Sequence, residues 1–315
     1  MRKLWFFSFK KFILHANIVL IILFPAIAQA WNYTGHVVIA QIAYNNLTPS
    51  VKTKVDTYAA AIFTQLPAEQ KQKLEQRYPN ASQFAQLALL PDTFRNWQLG
   101  TVANKYNAPL PLNFIVLKNQ KTASWHYFDG IYPARPNCQL TDHNSNVIWA
   151  IQRVETGLTT TTNTNTKGLM LVLLAHYVGD AHQPLHTFSY TSNQCINDKG
   201  GNLYCLHTSH SGKCSSNLHG LWDSGLGLFK SKTNVQKLAF KIEQAEPKSI
   251  LNHQIVELNP TQWILENYQY ASFIYNTPKG LKPSPYYYAQ GQQIVKKQVA
   301  LAGYRLASIL NQLLG

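Results

Sequence analysis

The sequence predicts an all-α fold: one mainly helical domain whose long loops are held by disulfides. Apolar residues recur at helical spacing over much of the chain, whereas few segments alternate in the way half-buried strands do. No internal repeat and no change in composition marks a second domain. The segments with helical spacing are 37–44, 51–63, 82–90, 147–157, 169–181, 261–275 and 292–314.

The composition is that of a folded protein with a sizeable core. The chain has 315 residues, of which 45% are hydrophobic and 13% charged, and this excludes a largely disordered chain. The breaks between helical segments are polar and local. Residues 159–166 form a Thr/Asn linker, and residues 189–217 form an excursion rich in Gly, Ser and Cys.

The first thirty residues have the pattern of a secretory signal peptide. Basic residues precede an apolar run at 18–27, which is followed by Ala28-Gln29-Ala30, an A-x-A cleavage site. The alternative is a retained membrane anchor, but the apolar run is shorter than the ~20 residues a spanning helix needs. We therefore expect cleavage between Ala30 and Trp31. The mature protein would be secreted or periplasmic, a single domain of residues 31–315 without a membrane span.

The mature chain is basic. Four of the 28 Lys and Arg residues lie in the leader and none of the 14 acidic residues does, which leaves a formal charge of +10. A basic exported protein favours polyanionic partners such as nucleic acid. An even scatter of lysines for solubility would give the same composition.

All four cysteines, Cys138, Cys195, Cys205 and Cys214, lie in the mature chain. Export makes two disulfides the favoured use, with three pairings open. No two cysteines form a C-x-x-C pair, which argues against a zinc site built from thiolates.

The strongest local motif lies on the most apolar helical segment. His176 and Asp180 are four apart, so their side chains project from one face. Pro184 blocks continuation of the helix, and His186 can return beside its end. His182 points to a different side, which indicates a supporting or structural role. Taken alone, the segment would equally fit a buried His and Asp that hydrogen-bond to each other in the core.

Similar groups recur along the chain. They are His219 and Asp223, four apart; His126 and Asp129, three apart; Asp92 and Arg95, three apart; and His36, five residues after the expected new N-terminus. Five histidines and several aspartates without a thiolate suit zinc bound by nitrogen and oxygen ligands.

The cleavage site adds a possible ligand. Once the leader is removed, the α-amino group and the carbonyl of Trp31 can chelate a metal in a five-membered ring, which would link metal binding to maturation. The alternative is that Trp31 merely buries its indole near the terminus.

Together these motifs resemble the zinc-dependent, single-strand-specific nucleases of fungi, plants and some bacteria, the S-one/P-one type. That fold is related to the fold of zinc-dependent phospholipase C. The motifs appear in family order over the mature chain: Trp31 with His36, Asp92-x-x-Arg95, residues 125–129, His176-x3-Asp180-x5-His186, Gly200-Gly201-Asn202, His219-x3-Asp223, and residues 302–307 in the last helix.

The resemblance implies a cluster of three Zn²⁺ ions. One zinc would be held by Asp92, His126, His176 and Asp180, a second by the Trp31 amine and carbonyl with His36 and the shared Asp180, and a third by His186, His219 and Asp223. Every histidine of the motifs except His182 would then be a ligand.

The resemblance also implies an endonuclease that hydrolyses single-stranded DNA and RNA to 5′-phosphorylated products. Asp129 would orient or deprotonate the attacking water, and Arg95 would pair with the phosphate oxygens. Tyr127 would stack on an unpaired base, although it could equally be a core aromatic residue. Nucleotides are further expected ligands, 3′-nucleotidase activity is left open, and we expect a monomer.

Three features depart from the family pattern. Pro91 stands before Asp92 where a small residue is common, the loop between His186 and His219 is long and carries three cysteines, and the segment between Asp92 and His126 is extended. The long loop bears on substrate preference, since it lies between two presumed ligands of the third zinc.

Two other functions stay open. A zinc-dependent phospholipase C would share the fold and most ligands, but typically has Glu where this chain has Asp223, and the basic charge also favours the nuclease. A secreted protein that only binds zinc or nucleic acid would hold metal without turnover.

Overall fold

The computed structural model describes residues 31–139, 144–209 and 211–315. The predicted signal peptide therefore lies outside the described residues. Within them the chain is mostly helical, which confirms the predicted fold class. The fifteen α-helices of the described residues are α1 (Tyr33–Asn45), α2 (Pro49–Thr64), α3 (Ala68–Arg77), α4 (Gln83–Leu87), α5 (Leu90–Phe94), α6 (Leu99–Lys105), α7 (Leu112–Ile115), α8 (Val147–Thr160), α9 (Thr164–Ala181), α10 (Leu218–Asp223), α11 (Val235–Ala245), α12 (Lys248–Ile255), α13 (Pro260–Asn267), α14 (Ala271–Ile274) and α15 (Pro285–Leu314).

Four short strands form two small sheets in the described part of the chain. They are β1 (Gly130–Tyr132), β2 (Phe188–Tyr190), β3 (Cys205–Thr208) and β4 (Cys214–Asn217). β1 pairs with β2 in parallel, and β3 pairs with β4 in antiparallel. β1 starts directly after Asp129 and β2 starts two residues after His186, so the first sheet brings two of the motifs side by side.

Side-chain caps and prolines explain where the main helices begin. The Oδ1 atom of Asn32 accepts a hydrogen bond from the Gly35 N–H at 3.1 Å and caps α1. Asn163 caps α9 in the same way by accepting from the Thr166 N–H at 2.9 Å. α15 starts at Pro285, where a missing N–H leaves no hydrogen bond unmade.

Helix α9 lies in the centre of the core and packs against α1, α2, α8 and α15. Every residue from Gly168 to Ala181 is buried. A Cβ at Gly168 would collide with the Tyr58 carbonyl, so glycine permits the close approach of α2. A helix buried on all sides keeps its polar side chains away from bulk water.

The structure corrects the predicted organisation in three places. The Thr/Asn linker at 159–166 is much shorter, because α8 continues to Thr160 and α9 begins at Thr164. The segment 261–275 is two short helices joined by a 3₁₀ turn. Helices α3, α6, α7, α11 and α12 are not predicted, since each buries few side chains; α3 buries Leu74.

Two disulfides are present, Cys138–Cys195 and Cys205–Cys214. They confirm the predicted use of the cysteines and select one of the three pairings. The first joins the loop after β1 to the loop after β2, and the second closes the β3–β4 hairpin. No helix among the described residues is long and apolar enough to cross a membrane.

Candidate metal centre and cleft

His176 and Asp180 project from one face of α9, as their spacing predicts. The His176 Nε2 atom lies 3.4 Å from the Asp180 Oδ2 atom, and both side chains are fully buried. The other ring nitrogen of His176, Nδ1, donates a hydrogen bond to the Ala88 carbonyl at 2.8 Å. This bond fixes the tautomer and leaves the Nε2 lone pair facing the carboxylate.

His36 of α1 packs against this pair. Its ring stacks on the His176 ring with the centroids 3.8 Å apart, and its Nε2 atom lies 3.4 Å from Asp180 Oδ1. Gly179 makes room for the imidazole, because a Cβ there would lie 2.9 Å from His36 Nδ1. The two oxygens of Asp180 therefore face different histidines.

Two further residues complete this group from other elements. His126 ends a 3₁₀ turn, and its Nδ1 atom lies 3.0 Å from both Asp180 Oδ2 and His176 Nε2. Asp92 of α5 lies with its Oδ1 atom 3.6 Å from His176 Nε2 and 3.9 Å from His126 Nδ1. Three helices and a 3₁₀ turn thus bring five polar side chains into one buried space.

A second group lies beside the first. The Nε2 atoms of His186 and His219 are 3.1 Å apart, and His219 Nε2 lies 3.4 Å from Asp223 Oδ2. The Nδ1 atom of His186 donates to the His126 carbonyl at 2.7 Å, and the Nδ1 atom of His219 donates to the Gly200 carbonyl at 2.6 Å. Both histidines therefore present Nε2 to the same point.

Gln183 connects the end of α9 to this second group. Its Nε2 atom donates to Asp223 Oδ1 at 2.6 Å, while its Oε1 atom accepts the Leu185 N–H at 2.7 Å. Gln183 is fully buried, and both ends of its amide are used. The amide therefore occupies one oxygen of Asp223 and leaves Oδ2 facing His219.

Burial controls the charge of these groups. It lowers the pKa of His36, His126 and His186, and it lowers the pKa of His219 to about 4, so the imidazoles are neutral. Burial, with the charge of Asp92 added, raises the pKa of Asp180 well above its ordinary value. Burial also raises the pKa of the Asp223 carboxyl. Neutral imidazoles are the form that binds metals, and buried carboxylates need a nearby cation to ionise.

Several atoms of the first group have no hydrogen-bond partner. They are both ring nitrogens of His36, both carboxylate oxygens of Asp92, His126 Nε2 and Asp180 Oδ1. Native proteins rarely bury polar atoms without a partner, since each costs about 1–3 kcal/mol. Two of these atoms, His36 Nε2 and Asp180 Oδ1, lie 3.4 Å apart, and Asp92 belongs to the same group, as expected around a bound cation.

The donor set fits zinc. Three groups of His and Asp side chains have ligand atoms within 4.8 Å of one another: His36, Asp92 and His176; His126, His176 and Asp180; and His186, His219 and Asp223. Zinc bonds of about 2.0–2.2 Å put the ligand atoms of a tetrahedral ion about 3.3–3.6 Å apart. The separations of 3.4 and 3.6 Å between these histidine nitrogens and aspartate oxygens lie in that range.

Trp31 lies at the junction of the two groups. Its indole N–H donates to the Gly179 carbonyl at 3.0 Å, and the N–H of the next residue, Asn32, donates to the Asp223 carbonyl at 2.8 Å. The indole is fully buried. The backbone of Trp31 is therefore held between α9 and α10, the helices that carry Asp180 and Asp223.

Arg95, Tyr127 and Asp129 line a cleft of about 500 Å³ that reaches His186 and His219. All three are partly buried. The positive charge of Arg95 contributes to the lowered pKa of both histidines and, at the buried aspartates, opposes the rise in pKa. Arg95 is thus a cation directed at the buried groups from the cleft side.

His182 lies outside all three groups. Its Nδ1 atom donates to the Val178 carbonyl at 2.7 Å, and its Nε2 atom accepts a hydrogen bond from Arg305 at 2.9 Å. The structural role that its offset from Asp180 predicts agrees with these contacts.

A family model described as S1/P1 Nuclease matches residues 31–315. The chain belongs to the S1/P1 nuclease family. It is therefore a hydrolytic nuclease, and the family match favours this function over the phospholipase C that the sequence left open.

Curated relatives of this S1/P1 nuclease include three proteins of Arabidopsis thaliana. Endonuclease 1 is 26% identical over 309 residues, which cover 93% of this chain and 90% of that protein. Endonuclease 3 is 29% identical and Endonuclease 5 is 28% identical, each over 157 residues. Each of these two shorter matches covers 45% of this chain and 50% of the length of the relative.

Two residues of the site in this nuclease, Gln183 and Lys199, have no role predicted from the sequence. Gln183 lies between Asp180 and His186, but its contact with Asp223 spans forty residues of sequence. Lys199 lines the cleft beside Gly200. The adjacent glycine pair was the available signal, since Gly200 and Gly201 both have a positive φ and so mark a tight loop.

Proposed function

We propose that the mature protein is a secreted, zinc-dependent endonuclease that cleaves single-stranded DNA and RNA to 5′-phosphorylated products. The observation that carries the proposal is the buried set of His and Asp side chains whose ligand atoms lie close together, several of them unpaired, next to a cleft lined by Arg95. Such a set needs cations, and the cleft gives a phosphodiester access to them.

Three zinc ions account for the donor set. The proposed ligands are Asp92, His126, His176 and Asp180 for one ion; the Trp31 amine and carbonyl, His36 and Asp180 for the second; and His186, His219 and Asp223 for the third. The short separation between His36 Nε2 and Asp180 Oδ1 supports a shared Asp180, since its other oxygen faces His126 and His176.

Bound zinc supplies Lewis acidity, polarising phosphate oxygens and lowering the pKa of a water molecule near phosphorus. Asp129 accepts a proton from the attacking water while the new P–O bond forms. The bond from phosphorus to the 3′-oxygen breaks, and that oxygen takes a proton from solvent water and leaves as the 3′-hydroxyl group. Arg95 donates hydrogen bonds to the phosphate as negative charge builds on it.

Tyr127 provides a reason for the preference for single strands. It is partly buried and lines the cleft with Arg95 and Asp129, so a base bound in the cleft would lie next to it. Stacking on an aromatic ring requires an unpaired base and contributes about 1–3 kcal/mol. Bases paired inside a duplex cannot make this contact without unstacking.

Maturation is part of the proposal. Trp31 can supply an amine only after cleavage following Ala30, so a residual N-terminal extension should lower zinc content and activity. A matched protein with its tag at Gly315 is the control, because the C-terminus is exposed. Normal zinc content and activity in the extended form would remove Trp31 from the ligand set. Two disulfides support export, and we expect a monomer.

The test is an assay of the purified mature protein on single-stranded DNA, single-stranded RNA, duplex DNA, a 3′-nucleotide and phosphatidylcholine. Chelator-sensitive cleavage of the single strands, restored by added zinc, is the expected result. Metal analysis should give three zinc ions per chain. Release of phosphocholine would identify a phospholipase C, and bound zinc without any product would identify a binding protein. Phosphate release from the 3′-nucleotide decides the 3′-nucleotidase activity.

A further inference from the structure

The loop of residues 197–202 is held rigidly against the second metal group. The Gly200 carbonyl accepts the hydrogen bond from His219 Nδ1, and the Gly200 N–H donates to Ser189 Oγ at 2.7 Å. The Lys199 N–H donates to Asn197 Oδ1 at 3.1 Å, and the Lys199 carbonyl accepts from the Asn202 amide at 2.8 Å. The backbone of Lys199 is thus fixed on both sides.

Lys199 has an unusual backbone conformation for its residue type. Its φ is +55°, in the left-handed region that favours glycine, and Gly200 and Gly201 follow with φ of +60° and +81°. A side chain in that region is strained, and such strain persists where the surrounding contacts enforce it. The loop therefore presents a lysine from a position where glycine or asparagine would be easier.

The Lys199 side chain is exposed and lines the same cleft as Arg95 and Asp129. No carboxylate of the described residues forms an ion pair with it. The nearest acidic side chain in sequence, Asp198, is buried and accepts hydrogen bonds from the Tyr190 N–H and the Tyr275 hydroxyl. The ammonium group is therefore available to an anion in the cleft.

Two cations of the cleft differ in what they face. The charge of Arg95 influences the buried histidines and aspartates, so Arg95 is placed to bind the phosphate that is cleaved. Lys199 is one residue away from the carbonyl that holds His219, but its side chain is exposed. We propose that Lys199 forms a subsite for a flanking phosphate of the strand, next to the phosphate at the metal centre.

This inference rests on the proposed nuclease function and concerns the length of substrate that the cleft holds. A flanking phosphate exists in an oligonucleotide but not in bis(p-nitrophenyl) phosphate, which carries a single diester. A lysine that contacts a phosphate also contributes to the dependence of binding on salt. For single strands, each contact adds about 0.7 to the slope of log affinity against log salt.

The experiment compares the zinc-loaded wild type with Lys199→Gln and Lys199→Glu. On a ten-residue oligothymidylate, Lys199→Gln should lower kcat/KM about tenfold, as expected for one hydrogen bond to a charged group, and Lys199→Glu should lower it further. The loss on bis(p-nitrophenyl) phosphate should be several times smaller. The salt slope of kcat/KM on the oligonucleotide should become shallower by about 0.7 in Lys199→Gln.

Lys213→Gln is the matched control, because Lys213 is an exposed lysine of the β3–β4 hairpin that does not line the cleft. An unchanged salt slope in Lys199→Gln would overturn the proposal. Equal losses on both substrates would also overturn it, since Lys199 would then act through Gly200 and His219. If the wild type cleaves neither substrate, the proposed function itself fails.

Discussion

Two groups of polar side chains lie near the end of α9. They differ in whether their polar atoms are paired with one another. One is the metal centre around His176 and Asp180. The other surrounds Arg305 of α15 and includes His182, only two residues from Asp180. The metal centre is buried, as are Arg305 and His182, whereas the Glu266 side chain is 23% exposed; both groups contain histidine and carboxylate side chains.

The Arg305 group is complete without a ligand. The guanidinium donates to the Gln254 carbonyl, to both carboxylate oxygens of Glu266 and to His182 Nε2, at 2.8–3.0 Å. It also lies over the Trp263 ring at 5.4 Å. The metal centre instead leaves ring nitrogens and carboxylate oxygens unpaired. A buried polar cluster that closes on itself supports the fold, whereas one that does not close marks the place for a cation.

The largest effect is expected from Asp180→Asn, which breaks the metal centre. An amide cannot replace a carboxylate that faces three histidines, so two zinc ions should lose a shared ligand. Activity should fall on the order of 10³-fold or more, as for groups that act as a unit, and zinc content should fall below three ions per chain. Metal analysis and single-strand cleavage measure both.

Asp56→Asn is the control for that substitution, since Asp56 is exposed and accepts a hydrogen bond from Tyr44 far from the site. Near-normal turnover and zinc content in Asp180→Asn would disprove the shared-ligand assignment. Loss of folding in both variants would instead point to an unstable chain, and circular dichroism distinguishes the two cases.

The two regions also differ in what the sequence could predict. His176 and Asp180 are four apart on one helix, so helical geometry alone brings them together, and the same spacing pairs His219 with Asp223. The partner of His182 could not be found this way, because Arg305 lies 123 residues later in the chain. The contact of Gln183 with Asp223 likewise depends on tertiary packing.

The prediction of secondary structure from the sequence is limited in a similar way. Strongly apolar segments such as α9 were predicted within a few residues, because they bury many side chains. Helix α3 was not, because its burial is confined to Leu74 and its other residues are polar. The Thr/Asn run at 159–166 was predicted as a linker from composition, yet most of it continues α8 or starts α9. The exposed Thr159 and Thr160 instead donate their hydroxyls back to carbonyls of the preceding turn of α8, and the Asn163 cap fixes the start of α9.

The next effect in size is expected from Arg305→Met, which breaks the self-contained group. It leaves the buried His182 and the partly exposed Glu266 without their partner, and removing one member of a buried ion pair typically costs about 3–5 kcal/mol. The free energy of unfolding should fall by that amount while the folded fraction keeps its zinc. Chemical denaturation and metal analysis give the two values.

Arg153→Met is the matched control, because Arg153 is only partly buried and donates to the Asn113 carbonyl at 2.7 Å. Its loss of stability should be smaller. Zinc loss from Arg305→Met under native conditions would show that the two regions are coupled rather than separate.

A smaller effect is expected from Gln183→Leu, which touches the metal centre without removing a ligand. The substitution frees Asp223 Oδ1 and should let the carboxylate turn away from His219. Contacts of this kind typically change metal affinity by about 10–100-fold. One zinc ion per chain should therefore become easier to remove in a chelator titration, while the other two keep their affinity.

Gln86→Leu provides the comparison, since Gln86 is a buried glutamine whose amide bonds to the Tyr78 and Ala81 carbonyls away from the site. If the three zinc ions of Gln183→Leu dissociate like those of the wild type, the amide does not position Asp223.

The smallest effect is expected at a partly buried carboxyl group that belongs neither to the metal centre nor to the Arg305 group. Glu155 of α8 is partly buried, and its burial raises the pKa to about 7. Below the ordinary value near 4.5 the carboxyl is protonated in the folded and unfolded chain alike, so it has no effect on stability. As pH rises from about 4.5 to about 7, the unfolded chain ionises while the folded chain keeps its proton, so the folded state loses stability over this range, and the loss is complete above pH 7. Glu155→Gln should therefore raise Tm at pH 8 and leave it unchanged at pH 4.

Because Glu155 is partly exposed, solvent screening limits the gain at pH 8 to about 1 kcal/mol, or about 2 °C. Glu69→Gln is the control, since the exposed Glu69 carboxylate is paired with Lys73 and its pKa is lowered by that hydrogen bond. Its replacement should give no gain at high pH. A stabilisation of Glu155→Gln that is equal at both pH values would show that packing, not ionisation, sets the effect. Glu155 would then give no information on how a buried carboxylate behaves without a metal or an arginine.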